Sequence, residues 1–431
     1  MMTGLHVTTL GCKLNQLDSA ELAGAMGGSL PLVDDPAQAR LVVINTCSVT
    51  AAADADARKI ARRRRRENPR ALIVVTGCYA ERDPEALRSL PEVDLVLLRA
   101  DRPAAAGIIM EHLRRRDPSL LADGCADRLV GETLPDFGGR TRAYLRVQEG
   151  CDLRCSYCII PTVRGPSRSV PPEEVERRFR DLLGAGYKEI VLTGVNTGDY
   201  GKDLGRTVDL AELLARLADI GGDYRVRLNS VEPRCVTPAL ADLMARHQRV
   251  ARHLQIPLQS GSDAVLRAMR RNYRTADYMR IVEDLRARIP DVGIGADVIV
   301  GFPSETDEHF RESVDFIAGS PLNYLHVFSY SPRPGTDAAG MQAMNDVRTM
   351  AERSRVLRGL GQTLARDFRL AQSGRMHDAL VLRGGAPDGR ARALTSNFIE
   401  AELLDPHPEN TFAAIRITRV DAAGRAYARA A

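Results

Sequence analysis

Residues 148 to 165 read QEGCDLRCSYCIIPTVRG, and they contain the most informative motif of the sequence. It contains Cys151, Cys155 and Cys158, called here the loop cysteines, in a C-x3-C-x2-C pattern. A cluster of four irons is normally held by four cysteine thiolates, so three close thiolates leave one iron without a protein ligand. Because a small molecule can bind that iron, the pattern indicates a cofactor site that carries chemistry.

The loop cysteines have a second possible use, as a structural zinc site or as incidental thiols. Structural zinc usually takes four ligands in two short pairs. The sequence offers no second CxxC pair and no HxxxH pair to complete such a set. The cluster is therefore favoured, and anaerobic analysis that found stoichiometric zinc without sulfide would overturn it.

The composition is that of a multidomain globular protein. With 431 residues and 44% hydrophobic content, the chain is long enough for two or three buried cores. The formal net charge is only +4, so overall charge does not indicate a nucleic-acid partner. Eight cysteines, no signal segment and no apolar run approaching about 18 residues predict a cytoplasmic protein in a reducing compartment, with no membrane partner.

The first 116 residues alternate short apolar runs with helical stretches, beginning HVTTL, LDSAELAGAM and LVVINT. This alternation predicts an α/β domain over residues 1 to 116 with an open parallel sheet and crossover helices. Residues 117 to 141 lack sustained periodicity and carry Pro and Gly at both ends, which predicts a linker or a connecting hairpin.

A second alternation over residues 142 to 371 contains six strand candidates, from YLRVQ to YLHVFSYS. Six strand–helix units predict a partial (β/α)6 barrel. In parallel barrels the chemistry lies at the carboxyl ends of the strands, and the loop cysteines directly follow the first strand. Residues 372 to 431 change to short apolar runs with turn residues between them, which predicts a small antiparallel β domain.

Three further cysteines, Cys12, Cys47 and Cys78, are called here the edge cysteines. Each lies at or just after the end of a predicted strand in the first domain. The carboxyl ends of parallel strands share one edge of an open sheet, so the three could converge and hold a second cluster with its own open iron. Burial as small apolar residues is the alternative. Cys125 and Cys235 have no comparable setting and are interpreted as incidental.

The motifs GCKLNQ, NTCSVT, GCYAE and GCDLRCSYCIIPTVRGPSRS resemble the methylthiotransferase family of radical S-adenosylmethionine enzymes over essentially the whole chain. GCKLNQ, LTGVNTGDYG and HLQIPLQSGSDAVLRAMRR are most similar to the branch that acts on N6-threonylcarbamoyladenosine at position 37 of tRNA. The resemblance implies insertion of sulfur and a methyl group at C2 of that base. Alternatives are methylthiolation of isopentenyladenosine-37 or of a ribosomal protein, or a two-cluster electron-transfer protein without catalysis.

The resemblance also implies cofactors and partners. The cofactors are S-adenosylmethionine and two [4Fe-4S] clusters, one on the loop cysteines that cleaves S-adenosylmethionine and one on the edge cysteines that carries the inserted sulfur. The partners are the anticodon stem-loop of tRNA, a reductant protein such as flavodoxin or ferredoxin, and a sulfur source. Residues 372 to 431 correspond to a TRAM-like RNA-binding module, although eight Arg against seven acidic residues depart from a plainly basic surface.

Residues at the ends of the barrel strands are candidates for binding S-adenosylmethionine. Polar side chains at these positions can instead cap the helices that follow, and an aromatic residue in the cysteine loop can simply pack. The candidates are Tyr157, Gly194, Asn196, Ser230, Glu232 and Gln259.

The densest basic patch is Arg58, Lys59 and residues 62 to 66, on a predicted helix between the second and third edge cysteines. Contact with tRNA phosphates would make binding salt-dependent, and a solvated helix face is the alternative. Arg164 and Arg168 follow the loop cysteines and could meet the anticodon loop or the threonylcarbamoyl carboxylate.

Overall fold

A computed structural model describes residues 4–116, 134–205, 208–386 and 389–431. The chain divides into two compact units. Unit 1 consists of residues 1–139, 158–165 and 331–333, and unit 2 of residues 140–157, 166–330 and 334–431. Two short segments from the middle of the chain thus belong to unit 1, which chain order alone did not indicate. Most of the predicted linker lies outside the described residues.

Unit 1 is built on four parallel strands in the order β1-β2-β3-β4. The strand residues from Leu41 to Ile44 are fully buried because helices cover both faces of the sheet. Helices α1 and α5 pack on one face, and α2, α3 and α4 on the other. The predicted open parallel α/β fold is confirmed. The strands are β1 Gly4–Thr9, β2 Ala39–Thr46, β3 Leu72–Gly77 and β4 Leu95–Val96; the helices are α1 Lys13–Met26, α2 Ala51–Glu67, α3 Cys78–Arg82, α4 Pro84–Arg88, α5 Ala105–Arg116 and α6 Ile160–Arg164.

Unit 2 begins with six parallel strands in two sheets, β5-β8-β9 and β10-β11-β12. Bridges from Val226 to Val250 and from Ser230 to Gln255 connect the two sheets. This is the predicted partial barrel, with a hairpin of β6 and β7 beside the cysteine loop. The strands are β5 Arg142–Arg146, β6 Gln148–Glu149, β7 Arg168–Ser169, β8 Glu189–Thr193, β9 Arg225–Leu228, β10 His253–Gln255, β11 Gly293–Val300 and β12 Tyr324–Ser329.

In the described part of the chain no helix is both long and apolar enough to cross a membrane.

Helices cover the outside of the strands in unit 2. They are α7 Pro172–Gly184, α8 Leu210–Ala218, α9 Pro238–Arg246, α10 Asp263–Ala268, α11 Thr275–Arg288, α12 Asp307–Ala318 and α13 Val347–Ala371. Short 3-10 helices are found at Pro36–Gln38, Arg99–Ala104, Thr197–Asp199, Pro233–Cys235 and Asp337–Gly340.

The C-terminal strands close into a small barrel in the order β13-β14-β15-β17-β16. The predicted small β domain is confirmed, but its pairing is not antiparallel throughout. Strands β15 and β17 are parallel, because β17 turns back along β16 and then meets β15 running in the same direction. The strands are β13 Met376–Leu382, β14 Arg392–Thr395, β15 Glu400–Leu403, β16 Phe412–Val420 and β17 Ala426–Ala430.

A buried ionic group lies where the small barrel packs on the strands of unit 2. Glu189 on β8 accepts hydrogen bonds from Arg225 Nε at 2.7 Å and from Arg227 Nε at 2.9 Å. The same arginines donate to Leu394 O at 2.7 Å and Ser396 O at 3.0 Å. Burial would raise the pKa of Glu189, but the charges of Arg227 and Arg225 outweigh it and hold that pKa well below the usual range.

Candidate active site

The edge cysteines follow three neighbouring strands of unit 1. Cys12 directly precedes α1, Cys47 follows β2, and Cys78 is the first residue of α3, directly after β3. The strands are in register, with Thr9 opposite Asn45 and Thr46 opposite Gly77, so all three cysteines lie at the same edge of the sheet.

Asn15 in the first turn of α1 brings two of these thiols together. Its side chain is fully buried, and its Oδ1 lies 4.0 Å from Cys12 Sγ and 3.9 Å from Cys78 Sγ. Its amide nitrogen donates to Leu10 O at 2.8 Å and to Thr46 O at 3.0 Å, which fixes the orientation of the amide. Asn15 is therefore a rigid polar centre between the ends of β1 and β2 and the start of α3.

Cys47 packs against Gly11, the residue before Cys12, at the same edge of the sheet. The glycine has φ +95°, and a Cβ there would lie 2.7 Å from Cys47 Cβ and 3.0 Å from its sulfur. Both the backbone conformation and the space require glycine. The GC pair of the GCKLNQ motif thus has a steric meaning, because the residue before Cys12 must leave room for Cys47.

The three sulfurs form a donor set that fits an iron–sulfur cluster. Thiolates are the soft ligands that such clusters take. Burial raises the pKa of Cys47 and raises that of Cys78 to about 11, so iron binding has to displace protons from these thiols. Across the described ranges no group of three or more His, Cys, Asp and Glu side chains is placed to hold a single metal ion. A cluster differs from such a site because each thiolate binds a different iron.

Arg164 of α6 places a guanidinium beside Cys78. It is only 3% exposed and donates to Asn15 Oδ1 at 2.6 Å and to Asp18 at 3.2 Å. Its charge opposes the burial that raises the Cys78 pKa. A role in meeting RNA directly does not fit this burial. Arg168, the other arginine predicted for that role, is exposed on β7.

A cavity of about 140 Å³ opens beside Cys78. Apolar side chains such as Val163 line part of it, and charged side chains line the rest, among them Arg102 and Arg164, which both pair with Asp18 at 3.2 Å. The cavity lies wholly within unit 1. It leaves room next to the edge cysteines for a group of a few atoms.

A buried polar network supports the loop that follows Cys47. Ser48 Oγ donates to Asp54 at 2.9 Å, and Arg82 donates to Ser48 at 2.9 Å and to Asp54 at 3.0 Å. Arg333 also donates to Asp54, and to Ser48 at 3.1 Å. Sequence reasoning missed this network because Asp54 and Arg333 are distant in the chain and belong to no motif.

The loop cysteines are divided between the two units. Cys151 and Cys155 belong to unit 2, and Cys158 belongs to unit 1. Burial raises the pKa of Cys151 to about 11. Cys155 Sγ accepts a hydrogen bond of 3.2 Å from Arg271, which also pairs with Glu232. Arg271 was not predicted, and its only sequence signal is its place in LRAMRR, shortly after the fourth barrel strand.

Two of the candidates for binding S-adenosylmethionine, Gly194 and Asn196, are the first and third residues after β8. The backbone nitrogen of Asn196 donates to Gln148 Oε1 at 2.9 Å, while its own Oδ1 is buried without a hydrogen-bond partner among the described residues. A Cβ at Gly194 would lie 2.8 Å from Gln148 Oε1, so any larger residue would displace the side chain that holds Asn196. An unpartnered buried acceptor suits the ammonium group of an amino acid ligand.

The remaining candidates lie around the same end of the barrel or pack near it. Ser230 follows β9 and bridges to Gln255. Burial raises the pKa of Glu232, and the charge of Arg271 opposes that rise. Gln259 has φ 66°, and its nitrogen donates to Asp297 O at 2.7 Å. Tyr157 packs against an apolar cluster that includes Phe302. For these residues the role in binding a ligand stays a prediction.

Of the two cysteines interpreted as incidental, one is described. Cys235 lies in the 3-10 helix after β9, and its thiol lies 4.0 Å from Asp199 Oδ1. Cys125 lies outside the described residues.

The inner face of β12 presents an aromatic ring that no motif indicated. On the outer face, Leu325 packs on α13, where a Cβ at Gly361 would lie 3.1 Å from Leu325 Cβ. Side chains alternate along a strand, so Tyr324 and Phe328 point the other way, and Tyr324 OH donates to Gln255 Oε1 at 2.7 Å. Phe328 is 46% exposed on this inner face.

The predicted basic patch on α2 is only partly available to a partner. Arg64 pairs with Glu67 at 2.6 Å, and Arg65 donates to Ala71 O at 2.9 Å and to Asp94 at 2.6 Å. These two arginines therefore serve the fold of unit 1. The patch residues that remain exposed are Lys59, Arg62, Arg63 and Arg66, although Arg63 pairs with Glu67 and Lys59 lies near Asp56.

Two family models match the chain. The model described as "Radical SAM superfamily" matches residues 145–317, and the model described as "Uncharacterized protein family UPF0004" matches residues 4–98. They cover the central strands with the loop cysteines and the sheet with the edge cysteines.

Curated relatives match nearly the full length. A Bacillus subtilis protein named threonylcarbamoyladenosine tRNA methylthiotransferase MtaB is 39% identical over 84% of this chain and 80% of its own length. An Aquifex aeolicus protein of the same name is 36% identical over 91% of this chain and 94% of its own. A tRNA-2-methylthio-N(6)-dimethylallyladenosine synthase from Carboxydothermus hydrogenoformans is 34% identical over 87% of each chain.

A solved structure supports the fold. The radical S-adenosylmethionine methyltransferase TsrM from Kitasatospora setae, with cobalamin and a [4Fe-4S] cluster bound, aligns with a TM-score of 0.56 and 16% identity. The alignment covers 78% of this chain and 77% of that one. At this identity the likeness concerns the fold alone.

Proposed function

Because the chain belongs to the methylthiotransferase family of radical S-adenosylmethionine enzymes, we propose that it converts N6-threonylcarbamoyladenosine at position 37 of tRNA to the 2-methylthio derivative. The observation that carries the proposal is the convergence of the edge cysteines around Asn15 and Gly11. An enzyme that inserts sulfur needs a second cluster, which a second set of three thiols can hold. An enzyme that only generates a radical would need the loop cysteines alone. The similarity to four curated relatives of that name supports the choice of base.

Family membership implies S-adenosylmethionine and [4Fe-4S] clusters as cofactors. When bound, they supply reductive cleavage of S-adenosylmethionine, removal of a hydrogen from C2 of the base, and the sulfur and methyl group that replace it. We assign one cluster to the loop cysteines and one to the edge cysteines. The protein contributes thiolate ligands, charge balance, positioning of the reactants and exclusion of water.

At the edge cysteines the protein fixes three thiolates and one balancing cation. Asn15 is held by two backbone carbonyls, so it keeps Cys12 and Cys78 in place. Arg164 lies buried beside Cys78 and offsets the negative charge that deprotonated thiols bring into this environment. The cavity beside Cys78 has room for the small sulfur species that the reaction consumes.

At the carboxyl ends of the barrel strands the protein orients S-adenosylmethionine. We assign the ammonium group to Asn196 Oδ1, the unpartnered buried acceptor after β8. Gln148 and Gly194 hold the backbone of Asn196 in place. Glu232, fixed by Arg271, is assigned to the ribose hydroxyls.

The target base is assigned to the inner face of β12. An exposed aromatic ring is the usual platform for a base taken from a single-stranded loop. Phe328 is such a ring, on the last strand of the open barrel. Stacking there would hold the base in one orientation and shield its reacting edge from water.

The proposed partners are the anticodon stem-loop of tRNA, a small reductant protein and a sulfur donor, and the proposed location is the cytoplasm. A bacterial host that lacks its own enzyme for this nucleoside provides the test. Expression of this chain should restore the methylthio group on threonylcarbamoyladenosine, detected by mass spectrometry of digested tRNA. Methylthiolation of isopentenyladenosine instead would contradict the proposed substrate, and no change in any nucleoside would contradict the activity.

A further inference from the structure

Helix α13 carries the most one-sided charge of the helices in unit 2. Its 25 residues contain six arginines and two carboxylates. Arg353 is buried against Glu305 and Asp307, and Arg369 donates to Gly424 O at 2.8 Å. These two arginines hold α13 on the rest of unit 2. The other four are exposed: Arg348, Arg355, Arg358 and Arg366.

The exposed arginines lie along one side of the helix. Arg348, Arg355 and Arg366 are 7 and 11 residues apart, which at 3.6 residues per turn places them within about 20° of one another. They span about 27 Å along the helix axis at 1.5 Å per residue. We call these three residues, with Arg358 beside them, the arginine stripe.

Few internal contacts neutralise the arginine stripe. Arg348 and Arg366 form no hydrogen bond or ion pair within the described residues. Arg355 lies 3.9 Å from Glu352 and remains 76% exposed, and Arg358 approaches Val327 O at 3.5 Å. Exposed pairs at such distances contribute little energy, so the positive charge of the stripe remains available to a partner.

We propose that the arginine stripe binds the phosphate backbone of the tRNA substrate. This inference rests on the proposed function and adds the surface that holds the RNA. A line of like charges about 27 Å long matches a phosphodiester strand, and Arg is suited to phosphate by its planar set of donors. A protein partner fits less well, because protein interfaces have an apolar centre. The large exposed apolar residues of α13, Val347 and Leu370, lie at its two ends.

Contacts with β12 place α13 next to the strand that carries the proposed base platform. Arg358 approaches the carbonyl of Val327, the residue before Phe328. Ser354 Oγ lies 3.0 Å from Ser329 Oγ, the residue after it. The arginine stripe is therefore carried on the solvent side of the helix that packs on the outer face of β12, while Phe328 is on the inner face of that strand.

The test measures tRNA affinity of the reconstituted protein against salt concentration. The variant R348Q/R355Q/R366Q leaves the buried arginines untouched. Its log affinity should depend on log salt with a slope shallower by about two to three, since each lost phosphate contact removes about 0.7 to 0.9. The matched control is R177Q/R178Q/R180Q on α7, where each arginine has a carboxylate one turn away. Its slope should not change.

The outcomes separate this inference from the proposed function. An unchanged slope in the α13 variant, or an equal loss in the α7 control, overturns the inference while the proposed function stands. Unchanged tRNA binding combined with slower reduction by an acidic flavoprotein assigns the stripe to the reductant and also overturns it. Absence of tRNA binding by the unaltered protein contradicts the proposed function itself. If the triple variant does not fold, R348Q alone should reduce the slope by about one.

Discussion

Asn15 Oδ1 accepts a hydrogen bond of 2.6 Å from the guanidinium of Arg164, and both side chains are buried. The same oxygen lies within 4.0 Å of Cys12 Sγ and Cys78 Sγ. One amide thus ties the first turn of α1 to α6 at the place where two predicted ligands meet. Asn15 therefore sets the spacing of Cys12 and Cys78.

Replacement of Asn15 by alanine should cost the protein one cluster. The anaerobically reconstituted variant should hold about four irons where the unaltered protein holds about eight, because Cys12 and Cys78 lose their common support. Iron and sulfide analysis measures this. Asn68→Ala is the matched control: Asn68 is also buried and donates to Ala39 O at 2.7 Å and Pro36 O at 2.9 Å. A loss of iron in both variants would show that general destabilisation is the cause.

The arginines of α2 should separate into two classes. Arg65→Gln should lower the thermal midpoint, since it removes the donor to Pro69 O and Glu92 O and one of the two guanidinium groups that bind Asp94, at a cost of about 1–3 kcal/mol. The variant R62Q/R66Q should change stability by less than about 0.5 kcal/mol. Thermal unfolding followed by circular dichroism measures both. Equal midpoints for the two variants would contradict the structural role of Arg65.

Glu189 should make the stability of unit 2 depend on pH. Because its pKa is lowered in the folded protein, its contribution is present above its unfolded pKa of about 4.3 and is lost as the pH falls. Glu189→Gln should cost about 3–5 kcal/mol near pH 7, because it removes the buried negative charge that Arg225 and Arg227 share. The difference in thermal midpoint from the unaltered protein should shrink below about pH 4.

An exposed ion pair serves as the control for that experiment. Glu212 pairs with Arg216 at 3.0 Å on the surface of α8. Glu212→Gln should shift the midpoint little at any pH, because solvent screens an exposed pair. A difference for Glu189→Gln that stayed constant from pH 7 to pH 3 would show that its charge is not what stabilises the fold.

Phe328 should matter for the RNA and not for the cofactor. Phe328→Ala should raise the KM for tRNA about 5- to 150-fold, the effect of losing about 1–3 kcal/mol of base stacking. Phe328→Tyr keeps an aromatic ring, so its KM for tRNA should be close to that of the unaltered protein. The rate of S-adenosylmethionine cleavage without tRNA should be the same in all variants. Leu404→Ala, at a residue of similar exposure in the small barrel, is the control. An unchanged KM for tRNA in Phe328→Ala would show that the target base does not stack on the inner face of β12.

Features that depend on neighbouring residues in the chain could be predicted from the sequence. The edge cysteines could be placed because each directly follows an apolar strand, and parallel strands end at a common edge. The six barrel strands could be found for the same reason. Motif wording then supplied the family, which the curated relatives bear out.

Features that depend on distant partners could not be predicted. The charge run on α2 does not reveal that Arg65 bonds to the segment before β4, and nothing near Arg164 predicts that it is buried against Asn15. Asp54 and Arg333 meet across 279 residues of chain. The parallel pair of β15 and β17 follows from barrel closure and from no residue within either strand.

The most direct measurement combines the reconstituted protein, a reductant, S-adenosylmethionine and tRNA carrying threonylcarbamoyladenosine, with mass spectrometry of nucleosides and of 5'-deoxyadenosine. The unaltered protein should form the 2-methylthio nucleoside. The variant C12A/C47A/C78A should still form 5'-deoxyadenosine but no methylthio nucleoside, because it keeps only the loop cysteines. Methylthiolation by that variant would contradict the role assigned to the edge cysteines. If the fully reconstituted unaltered protein formed no methylthio product on this tRNA, the proposed function would be wrong.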